Sequence, residues 1–240
     1  MQRRSAPRLC GSRAGPVREL WVAPDWHRLH TGLMNMNPAR LLSWMLAACA
    51  VVSAFYVTGP RAEAPAFTFT SPDLAGGTFA DKFVLNAFGC TGRNLSPALT
   101  WSNAPAGTRS FALQVHDPDA PTGSGLWHWA VYNIPASTTG LDQGAGNNQA
   151  LLPAGAFAGT TDFLDTGATG GNGNYGGPCP PPGDSAHRYV FTLYALAVDK
   201  IEIAGGVPRT ATAGLLSFVL NKGVGPALLG KASFTVRYGR

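Results

Sequence analysis

From residue 66 onward, apolar and polar positions fall into short runs at 66–70, 83–88, 99–101, 110–116, 128–134, 189–198 and 233–238. Gly, Pro, Asn and Asp fill the stretches between them, and strands so separated by turn residues indicate an antiparallel sandwich or barrel. No strand–helix–strand rhythm accompanies them. The expected class is therefore mostly β, an antiparallel β-sandwich with one or two short helices. One helix is predicted over residues 210–220, where Pro208 precedes, Leu215, Leu216, Val219 and Leu220 recur at helical spacing, and Gly223 stops it. Its apolar stripe reads as a face that packs on the core.

Residues 41–60 depart from this pattern, because they carry no charge and lie between Arg40 and the small residues of Ala64-Pro65-Ala66. That is the layout of a secretory signal peptide. Translation from Met34 or Met36 gives the leader ordinary length, so residues 1–65 read as an upstream extension plus signal peptide and 66–240 as the domain. The mature chain is expected to start between Pro65 and Phe67. Two alternatives stay open: an uncleaved anchor through residues 41–60, since about 20 apolar residues can span a bilayer, and lipidation of Cys49 in Leu46-Ala47-Ala48-Cys49. All three place the domain outside the cytoplasm, periplasmic or secreted.

Charge and cysteine content follow the same division. The net charge of +5 comes from residues 1–64, which hold eight Arg against Glu19, Asp25 and Glu63, whereas residues 65–240 hold ten basic and ten acidic residues. A balanced domain offers no clustered basic face, so no nucleic-acid partner is expected. Cys10 and Cys49 precede the domain, leaving Cys90 and Cys179 as an even pair in an oxidising compartment. A disulfide is the expected state and two buried thiols the alternative.

Residues 166–184 are rich in Gly and end in Pro178-Cys179-Pro180-Pro181-Pro182-Gly183, which reads as a loop. Within it Gly171-Asn172-Gly173-Asn174-Tyr175-Gly176 matches the dinucleotide fingerprint G-x-G-x-x-G, a motif that works where a strand leads into a helix N-terminus. A proline cluster follows instead. No nicotinamide, flavin or other cofactor is expected, and the chain has no G-K-[ST] for a phosphate-cradling loop.

The candidate chemistry lies around this loop. The run 110–116 leads into Asp117-Pro118-Asp119-Ala120-Pro121, and after a short Gly/Ser connection the next run begins at His128-Trp129. The proline loop leads into His187-Arg188-Tyr189. These strings, with Asn94-Leu95-Ser96-Pro97, Trp101 and Asn133-Ile134-Pro135, resemble the phosphatidylethanolamine-binding proteins and their bacterial Raf-kinase-inhibitor-like branch, over about residues 67–238. The resemblance implies a β-sandwich with a ligand pocket lined by Asp117, Asp119, Pro121, His128, Gly177, Pro180, Pro181, His187 and Tyr189. The stretch 161–174 is longer and richer in Gly than the family pattern, with Thr161-Asp162 in place of Asn-Asp.

Those residue types suit a small anionic or phosphorylated ligand, such as a phosphomonoester or a phospholipid head group. A singly protonated phosphate presents acceptor oxygens and one donor hydroxyl, so its site needs imidazole N–H donors and a carboxylate acceptor. His128 and His187 are expected to donate to one anion, with Asp117 accepting and Asp119 holding a histidine protonated; adjacent glycines let backbone N–H groups approach. Replacing either histidine by Ala is expected to weaken binding with little effect on folding. Each residue also has a plainer reading. An Asp beside Pro often bonds its own turn backbone, His116 is a structural or surface histidine, and of Trp127 and Trp129 at most one faces the pocket.

The expected function is an exported binding protein, possessing no catalytic residue and acting through its ligand or as an inhibitor-like regulator of a partner enzyme. A hydrolase is the alternative from converging His and Asp side chains, although no G-x-S-x-G is present. A metal-dependent enzyme using His128, His187 and an Asp is another, although no H-E-x-x-H occurs. No metal is assigned.

Overall fold

The computed structural model describes residues 64–240 apart from 165, 203–205, 207 and 209. The expected leader, the alternative start sites and Cys49 lie outside these residues. Two antiparallel sheets form the body. The smaller has the order β1-β2-β5, from β1 (Thr68–Thr70), β2 (Leu99–Ser102) and β5 (Gly140–Leu141). The larger has the order β6-β4-β3-β7-β8, from β3 (Ser110–Asp117), β4 (Leu126–Pro135), β6 (Phe157–Ala158), β7 (His187–Leu196) and β8 (Leu228–Tyr238).

Both faces of the larger sheet are covered, which explains why β3, β4 and β7 read as nearly unbroken apolar runs. On one face the small sheet packs, with the Phe69 ring 5.1 Å from Phe234 and Trp101 5.5 Å from Phe111. On the other, Ala112, Ala130, Tyr132, Tyr194 and Leu196 meet a short α-helix, α1 (Ala213–Phe218), and the wider π turn Val219–Gly223 that continues it. The helix begins later than its apolar spacing suggests because the Thr212 hydroxyl caps it, accepting the N–H of Leu215.

Four elements differ from the expectation. Residues 83–88 are not a strand: a 3-10 turn, Asp81–Phe83, leads into a folded segment whose backbone bonds run from Leu85 N–H to the Pro178 carbonyl and from Asn94 N–H to the Val84 carbonyl. Val84 and Leu85 are buried in succession rather than on alternate faces, so an apolar run here marks burial and not a pleat. Gly92 permits the folding, since a Cβ there would lie 2.1 Å from the Val84 carbonyl oxygen. The two-residue strands β5 and β6 are too short to leave a periodic signal. Strand β8 starts at Leu228 rather than near 233, as an edge strand whose first half is only half-buried.

Candidate functional site

Strand pairing brings the candidate residues to one end of the large sheet. Asp117 closes β3 opposite Leu126, where β4 starts, and His116 pairs with Val190 near the start of β7. A chain reversal after β3 and the proline loop before β7 therefore converge there. They enclose a cavity of about 160 Å³ lined by Asp117, Ala120, Pro121, Thr122, Leu126, His128, Cys179, Pro180, Pro181, His187 and Tyr189.

His128 owes its place to a break in the strand. Val115 pairs with Trp129 and His116 with Trp127, so β4 spends two steps where β3 spends one, and His128 is the extra residue of a bulge. Its ring is held from both sides of a single peptide segment. The His128 carbonyl accepts the Gly176 N–H at 2.9 Å, and its Nδ1 donates to the Gly176 carbonyl at 2.8 Å. Phe163 and Tyr189 contact the ring edge-to-face at 5.4 and 5.1 Å. Burial pulls the His128 pKa below its ordinary value, only partly countered by the Gly176 carbonyl and by Asp117. With its proton on Nδ1, the neutral ring presents Nε2 as an acceptor, and that atom is buried without a hydrogen-bond partner. Both histidines are expected from sequence to donate to one ligand; the Nδ1–H of His128 is already engaged by the Gly176 carbonyl, which leaves Nε2 of the neutral ring as an acceptor.

His187 has the opposite character. Its Nδ1 donates to the Asp117 carboxylate at 2.7 Å, and its Nε2 lies 3.4 Å from the carboxylate of Asp184. Burial lowers its pKa, but the bond and charge of Asp117, with Asp184 behind them, more than reverse this, and the net shift is upward. The other Asp117 oxygen accepts the N–H groups of Asp119 and Ala120 at 2.9 and 3.1 Å. Asp117 is thus both the turn-forming residue and the carboxylate that favours the charged form of His187. Tyr189 adds a second unpaired polar atom, its buried hydroxyl.

Two assignments from sequence change, and the limit of at most one tryptophan facing the pocket holds. Asp119 does not orient a histidine or line the cavity; its carboxylate accepts the backbone N–H of Arg188 at 2.8 Å and pairs with the guanidinium, whose bonds hold its pKa well below the usual carboxylate range. Gly177 does not offer its N–H to a ligand, because that group donates to the Asn94 side chain at 2.7 Å. Neither tryptophan reaches the cavity: Trp129 packs on Tyr175, and Trp127 stacks on His116 with ring centroids 4.1 Å apart. Asp117, Pro121, His128, Pro180, Pro181, His187 and Tyr189 do come together.

The structure also supplies residues that sequence reasoning passed over. Asp184, three positions before His187, contacts its outer nitrogen. Asn94 straps the pocket loop down, donating to the Tyr175 carbonyl at 3.0 Å while accepting from Gly177. Arg240 clamps the rim by donating to the carbonyls of Pro180 and Gly89. Cys90 and Cys179 form the disulfide expected from sequence, with Cα atoms 6.0 Å apart, tying that rim to the 81–94 segment. Gly171–Gly176 is followed by extended proline backbone and not by a helix.

The family described as phosphatidylethanolamine-binding protein matches residues 75–236. The protein YbcL of Escherichia coli K12 is 45% identical over 162 residues, 67% of this chain and 82% of the relative. A mycobacterial protein described as a lipoprotein, LppC of Mycobacterium tuberculosis, is 39% identical over 143 residues, 59% of this chain and 61% of its own. The crystal structure of E. coli YbcL superposes with a TM-score of 0.62 at 41% identity, covering 72% of this chain and 98% of that one. The chain belongs to the phosphatidylethanolamine-binding protein family.

Proposed function

We propose that the domain is an exported binding module whose cavity takes one small oxyanion, a phosphate or the phosphoryl group of a monoester or phospholipid head, without chemical turnover. The observation that carries this reading is a pair of buried, unpartnered polar atoms, His128 Nε2 and the Tyr189 hydroxyl, which line the same cavity as the charged His187. Buried polar groups are ordinarily paired, and an unpaired one calls for an explanation such as a ligand. A singly protonated phosphate meets the set: its hydroxyl donates to His128 Nε2, and its charged oxygens accept from His187 Nε2 and from Tyr189. Engaging His187 displaces Asp184, whose side chain is 42% exposed and free to swing outward.

Size and chemistry argue against the alternatives. The cavity lies well under the roughly 300–1,000 Å³ of sites for drug-sized ligands. Of the nucleophile-bearing side chains that line it, Cys179 is held in the disulfide and Thr122 has no histidine bonded to it. Export is supported by the apolar segment at 41–60 and by the relative described as a lipoprotein. Calorimetric titration with inorganic phosphate tests the reading. His128→Asn keeps an amide near the Nδ1 position for the Gly176 carbonyl but removes Nε2, and the loss of one hydrogen bond to a charged ligand should weaken binding about tenfold or more. Unchanged affinity in that variant, or no phosphate binding by the parent, refutes it.

A further inference from the structure

The polar cavity shares a wall with a second one. Leu126, His128 and Cys179 line both, and beyond them Leu85, Phe88, Phe163, Thr166, Gly177 and the edge residue Asp162 enclose about 230 Å³. His128 borders both, with Tyr189 against its ring in the polar cavity and Phe163 against it in the other. We propose that this second chamber is an apolar subsite that receives a compact apolar substituent of the bound oxyanion, an aromatic ring or a short branched chain. The inference rests on the oxyanion reading above and adds the class of ligand.

Volume, surface and backbone point the same way. Neither cavity alone approaches the size of an ordinary ligand site, and the two together reach the lower end of the roughly 300–1,000 Å³ range. An apolar cavity of about 150 Å³ is enough to hold benzene, so the second chamber admits a phenyl ring. Its walls are mainly the hydrocarbon of Leu85, Phe88, Leu126 and Phe163 and the sulfur of Cys179. One Asp162 oxygen is already engaged by the Trp127 N–H at 2.8 Å, and the carboxylate's charge repels a second anion. Phe88 remains 62% exposed and Leu164, which follows the wall residue Phe163, remains 47% exposed. Both hold left-handed backbone, at φ 54° and 36°. Large side chains seldom adopt that region, and strain of this kind clusters where a binding surface is held in place.

Calorimetric titration of the protein with inorganic phosphate, phenyl phosphate and phosphoethanolamine tests the subsite. Burial of the ring should make phenyl phosphate bind about tenfold tighter than phosphate, with no such gain for phosphoethanolamine. Phe88→Asn removes one apolar wall at a backbone angle that Asn accepts readily, so thermal stability and phosphate affinity should hold while the gain for phenyl phosphate falls below about threefold. Thr166→Phe, which fills the chamber from its rim, should also abolish the gain. Phosphate binding with no advantage for phenyl phosphate overturns the subsite alone, as does an advantage that survives both variants or an equal one for phosphoethanolamine. Failure of phosphate itself to bind overturns the oxyanion reading, and the subsite with it.

Discussion

The apolar interior and the cavity end of this domain are built on opposite terms. Inside, Phe191 is fully buried and stacks on Phe234 with ring centroids 4.8 Å apart, and beneath the helix Tyr132 and Leu196 pack against Leu216 and Leu220. These contacts follow strand and helix periodicity. At the cavity end, Asp117, His128 and His187 are buried as deeply, yet each is held by a departure from regular structure: a turn, a bulge and a proline loop. Periodicity builds the body, and its interruptions aim the polar groups. Stability and binding should therefore separate on mutation, except where a site residue also neutralises a buried charge.

The sharpest separation comes from Phe191→Ala. It leaves a cavity in the core and should cost about 3–5 kcal/mol, read as a lower denaturant midpoint, while phosphate affinity of the folded protein stays near that of the parent. An equal loss of binding would show that core and cavity are not independent.

His187→Ala tests the exception. Sequence alone suggests that folding would barely change, but the structure shows His187 paired with a carboxylate that is 2% exposed. Removing one partner of a buried pair costs about 3–5 kcal/mol. The variant should lose both stability and phosphate binding, whereas His187→Asn, which can still donate to Asp117, should recover much of the stability but not the binding. A stable His187→Ala would mean that Asp117 does not depend on its partner.

The disulfide bridges the two regions. It closes a separation of 89 residues, so Cys90→Ser with Cys179→Ser should destabilise by about 2–4 kcal/mol. Because Cys179 lines both cavities, phosphate binding should weaken as well, measured by the same titration. An unaltered affinity would assign the rim's shape to its prolines and to Arg240 instead.

The smallest and most diagnostic effect is with pH. The pKa of His187 is raised from 6.5, so its stabilisation is fully present below pH 6.5 and is lost as pH rises through the raised folded value. Phosphate affinity should fall over the same alkaline window, because neutral His187 keeps its one N–H at Nδ1, bonded to Asp117, and has none at Nε2 to donate. The pKa of His128 is lowered from 6.5, so its contribution is present above pH 6.5 and is lost as pH falls through the depressed folded value. His187→Asn should abolish the alkaline change and His128→Asn the acidic one. Profiles that keep both changes in both variants would place the titration elsewhere.

Much of this was legible in the amino-acid order because it depends on neighbours along the chain. Apolar runs and turn residues marked the longer strands of the large sheet, Pro208 and Gly223 bracketed the helix, and the Asp-Pro-Asp, His-Trp and Pro-rich strings marked the cavity. What required the tertiary fold was the division of roles among similar residues. Asp117 and Asp119 are two positions apart in one loop, yet one neutralises His187 and the other pairs with Arg188 on the surface, because β7 lies beside them in space. His128 and His187 each lie near the start of a strand, but burial favours the neutral ring of one while a carboxylate favours the charged ring of the other. Residues 83–88 lacked the backbone partner that would have made them a strand, and the Pro178 carbonyl that they meet instead is about ninety positions away. Periodicity is written locally, whereas protonation, pairing and the walls of a cavity depend on which distant segments the packed sheets bring into contact.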